Sequence, residues 1–174
     1  KATSHIESWY GFHSSFIAAR YFPEKQLDEA LRSRFDYLFG LLHDRTKMVP
    51  LYHASRIQNT SGTIGLLVDK YEAYGDVEDL KKASRLADWL MNTWQRKDGA
   101  YVNHNTVYTS VIYVAKSMLE LTLVERELGK TESVWKEAAD RHYASAKRAI
   151  DQLVASQGDF ETEGELTFED GMVS

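Results

Sequence analysis

The residues best suited to chemistry fall into three small groups. In the first, His104 stands between Asn103 and Asn105, and Tyr108 follows four residues later. A helix beginning here would set His104 and Tyr108 on one face. Histidine and tyrosine can each pass a proton, and neighbouring amides can hold a developing oxyanion. A plainer use is that Asn103 or Asn105 caps the helix and leaves His104 facing solvent. The second group is acidic: Asp98 in "DGAY" and Glu169 and Asp170 in "FEDG". Such carboxyls can share the work of proton donor and base or nucleophile, although Asp-Gly pairs also make ordinary turns. The third group is aromatic and basic. Trp9, Tyr10, Tyr52 and Tyr101 offer flat faces with polar edges, Arg56 offers a guanidinium for an acidic group, and His13 lies on an otherwise apolar stripe, where it reads as a hydrogen-bonded core histidine or, at a mouth, a substrate contact. Glu161, Glu163 and Glu165 lack the spacing of a calcium loop, and His5 and His13 fit no zinc motif.

These residues sit between segments with the helical period. Ile6, Trp9, His13, Phe16 and Ile17 form one stripe, stopped by Pro23, and Leu27, Leu31, Phe35, Leu38 and Leu42 form the next. Ile64, Leu67, Val68, Tyr71 and Tyr74 end at Gly75, and Asp76 reads as the N-cap of a stripe through Val77, Leu80, Ala83, Ala87, Leu90 and Trp94. Val111, Val114, Met118, Leu121 and Leu128 end at Gly129, and Trp135, Ala138, His142, Ala146, Ala149 and Leu153 close the series. The stretch 107–123 is apolar on most sides, as expected of an inner helix, whereas 77–95 and 133–156 have one apolar and one charged face. Trp94 and Trp135, on outer stripes, are expected in the core, and His142, also on an outer stripe, is expected to be structural. Helix ends repeat too, "YEAYGD" with "ERELGK" and "QRKDGAY" with "SQGDF". The order is inner, outer, three times over, with a hairpin repeat of roughly 50–60 residues.

Composition narrows the function. The 174 residues carry a formal charge of −5 with no basic stripe, which argues against nucleic-acid binding. There is no cysteine, so disulfides and thiolate metal sites are excluded. No apolar run approaches the ~20 residues that a bilayer requires. Two prolines in the whole chain leave room for long helices. No phosphate loop and no nucleophile elbow occurs, and no cofactor is expected.

Alternating inner and outer helices, the "DGAY" turn at Asp98–Tyr101 and the polar, aromatic segments before the inner helices resemble the six-hairpin glycosidase superfamily, the bacterial (α/α)6-toroid glycoside hydrolases and polysaccharide lyases. The resemblance is at the level of the fold. It implies an all-α chain of repeated helical hairpins forming part of an (α/α)6 toroid, with 1–174 as a partial domain of three hairpins and the start of a fourth. The rest of the ring would come from a further segment or another chain. It also implies a carbohydrate substrate, an extracellular or periplasmic setting, and a mouth lined by 3–13, 48–62, 98–110 and 158–171. Hydrolysis is slightly preferred, through Asp98 with Glu169 or Asp170 at the roughly 5–9.5 Å that such pairs need. The alternative is β-elimination at a uronate by His104 or Tyr108, with Asn105 neutralising the enolate and Arg56 holding the carboxylate. Trp9, Tyr10, His13, Tyr52, Tyr101, Asn103 and Asn105 would contact sugar. A non-catalytic binding scaffold is the remaining reading.

Overall fold

The computed structural model describes residues 5–44, 47, 49–51, 57–101 and 107–155, with the side chains of 5–10 and 107–112 outside that description. Among these residues there are six α-helices and no strand: α1 His5–Tyr21, α2 Lys25–Leu42, α3 Ile57–Tyr74, α4 Val77–Trp94, α5 Val107–Leu128 and α6 Ser133–Ala155. The all-α expectation holds.

Local chemistry sets the helix ends. After Pro23, the Glu24 carboxylate accepts from the backbone N–H groups of Gln26 and Leu27 and starts α2. Gly75 takes a φ of +74°, and the Asp76 carboxylate accepts from the Glu78 N–H at 3.0 Å, so two residues suffice to reverse the chain between α3 and α4. Gly129 lets α5 and α6 meet closely, since an added Cβ would lie 2.8 Å from the Lys136 nitrogen.

The helices form two layers. α3 packs against α1, α4 and α5, and α6 covers α5. Side-chain pairs fix the directions. His13 and Arg20 of α1 meet Asp69 and Glu72 of α3, so α1 and α3 run together. Asp88 and Gln95 of α4 meet Arg141 and Ser145 of α6, so these two run together. Asp36 and Asp28 of α2 meet Lys70 and Tyr74 of α3, and Glu125 of α5 meets His142 of α6, each pair antiparallel. The N-termini of α1, α3 and α5 therefore share one end with the C-termini of α2, α4 and α6.

The core confirms most stripes and shifts others. Leu80, Ala83, Ala87 and Leu90 of α4 and Trp135, Ala138, His142, Ala146 and Ala149 of α6 are buried as expected, while Trp94 is half-buried. In α2 the buried residues are Phe35, Phe39 and Leu42, and Leu27 is 63% exposed. The α2 stripe begins later because Phe12 and Phe16 of α1 meet α2 at Phe35, edge-on with ring centroids at 5.5 and 5.4 Å. The most enclosed helix is α3, where Asn59, Thr60, Ser61, Thr63, Asp69 and Lys70 are buried beside the apolar residues. By contrast, α5 exposes Tyr113, Lys116 and Leu123 along one face. Two of the segments expected to line a mouth run into helices: 5–13 belongs to α1 and 57–62 to α3.

Candidate functional site: a polar strip on the inner layer

α3 is closed off except along a narrow strip. Its outer side is occupied by Lys70 and Tyr74, which reach α2 and α4. On the side turned away from them, Gln58, Gly62, Glu72 and Ala73 keep some exposure, with Gly65 and Asp69 between. Gly65 belongs there because α5 comes close: an added Cβ would meet Ser117 Oγ at 3.3 Å and Glu120 Oε2 at 3.5 Å.

Four polar side chains gather on this strip, those of His13, Arg20, Asp69 and Glu72. The Asp69 carboxylate holds His13 Nδ1 through Oδ2 and accepts from Arg20 Nη2 at 3.1 Å through Oδ1, while Arg20 also pairs with Glu72. The His13 side chain is 28% exposed and that of Asp69 11%, so the imidazole is anchored from behind and open in front. A carboxylate on Nδ1 favours the tautomer with its proton there and leaves Nε2 as acceptor. This is the arrangement of a positioned general base. Arg20 Nε is buried with no hydrogen-bond partner among the described residues, and Lys116 salt-bridges Glu120 at 2.8 Å farther along the layer.

At the end shared by the inner N-termini, two outer helices finish alike. His43 caps α2 and pairs with Pro50 in a single antiparallel bridge, and Gln95 caps α4 and pairs with Tyr101 in another. The second turn is bolted to α6. Gln95 Nε2 donates to the Gly99 and Ser145 carbonyls at 3.0 and 2.9 Å, and Gln95 Oε1 accepts from Ser145 Oγ and Arg148 Nη2 at 2.8 and 2.7 Å. Gly99 has a φ of +102°, and a Cβ there would lie 2.7 Å from the Arg148 carbonyl carbon.

The sequence candidates divide three ways. His13 is part of the strip, held by Asp69. Tyr101 is corrected: its ring is fully buried with its hydroxyl 2.6 Å from Ser145 Oγ, so it has no face for a sugar. Desolvation pushes its phenol up to about 12 despite that bond. Asp98 does turn chemistry, accepting from the Ala100 N–H at 3.1 Å and pairing with Arg96 at 2.6 Å, on a 40% exposed side chain. Tyr52, Arg56, Asn103, His104, Asn105, Glu169 and Asp170 lie outside the described residues, as do the side chains of Trp9, Tyr10 and Tyr108.

Reading the sequence missed Asp69, Arg20 and Glu72. Asp69 was detectable, because it stands directly after Val68 inside the α3 stripe where an acid needs a partner. Among the described residues no group of three or more His, Cys, Asp or Glu could hold a metal ion, and no helix is long and apolar enough to cross a membrane. In comparison with known proteins, no family model, no curated protein and no solved structure matches the chain.

Proposed function

We propose that this chain is part of a carbohydrate-active domain of the α/α-toroid kind that degrades an oligo- or polysaccharide outside the cytoplasm. The observation that carries the reading is the common direction of α1 and α3, matched by the common direction of α4 and α6, which run opposite to them. It sends the segments before the inner helices to one end, which is where a toroid has its mouth. Continued curling of the same two layers would close a ring with the His13–Asp69 strip on its inner wall.

Hydrolysis remains the first reaction class, with Glu169 or Asp170 as one carboxyl. Its proposed partner Asp98 is held in a turn. Elimination gains one specific support, the Asp69-anchored and partly exposed His13, since removal of a proton beside a carboxylate calls for a positioned base. Incubating the protein with a panel of neutral and uronate-containing glycans separates the two. New reducing ends alone mean hydrolysis, and ultraviolet absorbance from unsaturated uronides means elimination. His104→Ala, Glu169→Ala and His13→Ala identify the working groups. Turnover untouched by all three, or no cleavage of any glycan, would leave a non-catalytic scaffold. That reading has its own support in the exposed Tyr21, Phe22 and Leu27 at the α1–α2 turn.

A further inference from the structure

Three helices meet at His142. Its imidazole is fully buried, with Nδ1 at 2.8 Å from Oε2 of Glu125 on α5, which is itself fully buried. Nε2 lies 3.3 Å from Oδ1 of Asp88 on α4. The other charged groups at this junction are Arg141 of α6, whose guanidinium reaches Asp88 Oδ2 at 3.1 Å, and Lys81, Arg85 and Glu132, which line the groove beside Asp88.

A neutral imidazole has one N–H and presents a lone pair at its other nitrogen. Neutral His142 can therefore satisfy one carboxylate, and its bare nitrogen then faces the other. As an imidazolium it donates from both nitrogens and places its charge between carboxylates on two different helices. The two sides are unequal. Asp88 keeps Arg141 at any pH short of arginine titration, but His142 is the only ion-pair partner of Glu125 among the described residues. Losing the proton strips a fully enclosed carboxylate of its countercharge, a costly change in a dry site.

We infer that His142 is a pH-sensitive latch: charged, it fastens α6 to both α5 and α4, and on losing its proton it lets α6 loosen. The effect reaches the Gln95–Tyr101 turn, because Ser145 and Arg148, one and two turns farther along α6, hold Gln95. The latch does not depend on whether the domain acts on glycans, and what it controls is the Gln95–Tyr101 turn at the end of α4. Burial pulls the imidazole's pKa down, but the Asp88 and Glu125 carboxylates, one in ion-pair contact at Nε2 and one hydrogen-bonded at Nδ1, outweigh it and leave His142 above its ordinary value. A group raised on folding contributes stability that is complete below its unfolded pKa and lost as pH rises through the folded one. The latch thus holds below the ordinary histidine value and releases as pH rises through the raised one.

Amide hydrogen exchange on the intact chain, corrected for the intrinsic pH dependence, tests this directly. From pH 6 to pH 9 the α6 amides around His142 should open more often, by up to about tenfold per pH unit above the folded pKa. The Gly99 amide, bonded to the Arg96 carbonyl at 3.0 Å, should follow. His142→Gln, which cannot become charged, should abolish the pH dependence, and His13→Gln should preserve it. Nitrogen shifts of the His142 ring in the wild-type chain give a readout that needs no variant. A ring already neutral at pH 6, α6 protection unchanged between pH 6 and 9, or Gly99 still protected while α6 opens would each overturn the proposal.

Discussion

The firmest test of the packing concerns Lys70, an ammonium inside a helix junction. Its side chain is 2% exposed, and its Nζ lies 2.7 Å from Asp36 on α2 and 3.0 Å from Asp79 on α4, whose own side chain is 1% exposed. Lys82 also reaches Asp79, at 3.1 Å, and the Lys70 ammonium sits 5.3 Å from the centre of the Phe35 ring. Lys70→Met keeps most of the stem and removes the charge, leaving Asp79 enclosed with Lys82, itself only 23% exposed, as its counterion. Removing one partner of a buried pair costs about 3–5 kcal/mol, and the surviving Lys82 argues for the lower end. With a urea dependence of about 2 kcal/mol per molar, a loss of about 3 kcal/mol moves the unfolding midpoint down by about 1.5 M. Adding Asp79→Leu removes the stranded carboxylate, so the double variant should recover much of the loss, and the cycle should show strong coupling. Lys81→Met, at an exposed pair with Glu78, is the control and should barely move the midpoint. Two results would refute the reasoning. Lys70→Met no worse than the control would mean that the junction is not electrostatically closed. A double variant as unstable as Lys70→Met would mean that stem packing, rather than the stranded charge, was the cause.

Gly99→Ala should destabilise more than Gly75→Ala in the same urea assay. Both have positive φ, worth about 1–2 kcal/mol, but only at Gly99 does the new Cβ strike backbone, that of Arg148. Tyr74 and Tyr101 are both pushed up to about 12, mainly by desolvation, so an alkaline absorbance titration should show them ionising about two units after ordinary tyrosines. Their contribution to stability is complete below the ordinary tyrosine value and lost as pH rises through the folded one. Burial alone would raise Asp88, but its bonds to His142 and Arg141 outweigh that and hold its pKa below the ordinary value. Its contribution is therefore complete above the ordinary aspartate value and lost as pH falls through the folded one, and Asp88→Asn should flatten the acid limb of thermal stability plotted against pH.

Periodicity read the helices well because their ends carry independent chemical markers. Gly75 with Asp76, and Gly129 before Ser133, say where chains reverse, and the structure uses them so. Periodicity failed where burial is polar. The stretch 107–123 looks like the most enclosed helix because its residues are apolar, yet α3 is more enclosed while carrying Asn59, Thr60, Ser61, Thr63, Asp69 and Lys70 inside. Hydroxyls can return their bonds to the backbone one turn earlier, as Thr63 does to the Asn59 carbonyl at 2.8 Å, so they cost little inside a helix. The charges are satisfied by residues from other helices, 34 positions away for Asp36 and 56 for His13, and no local pattern records that. The site was legible only in part for the same reason. His13 stood out as a histidine on an apolar stripe, but its partner is a matter of layer packing. Tyr101 misled because a tyrosine next to a Gly turn looks the same whether its ring faces solvent or, as here, Ser145.

Asp69 and Lys70 show why layer position, and not charge, separates structure from chemistry in this fold. The two are adjacent in sequence. A helix turns about 100° per residue, so adjacent side chains leave it in different directions. Lys70 turns to the outer layer and is consumed by Asp36 and Asp79. Asp69 turns to the strip, where it holds His13 and Arg20 on partly open side chains. A charge facing the outer layer has protein on every side and nothing to act on. A charge facing the strip is fixed from behind and open in front, which general acid–base chemistry requires. The same rule places His142 among the groups that hold the layers together, and leaves His13 partly exposed on the strip.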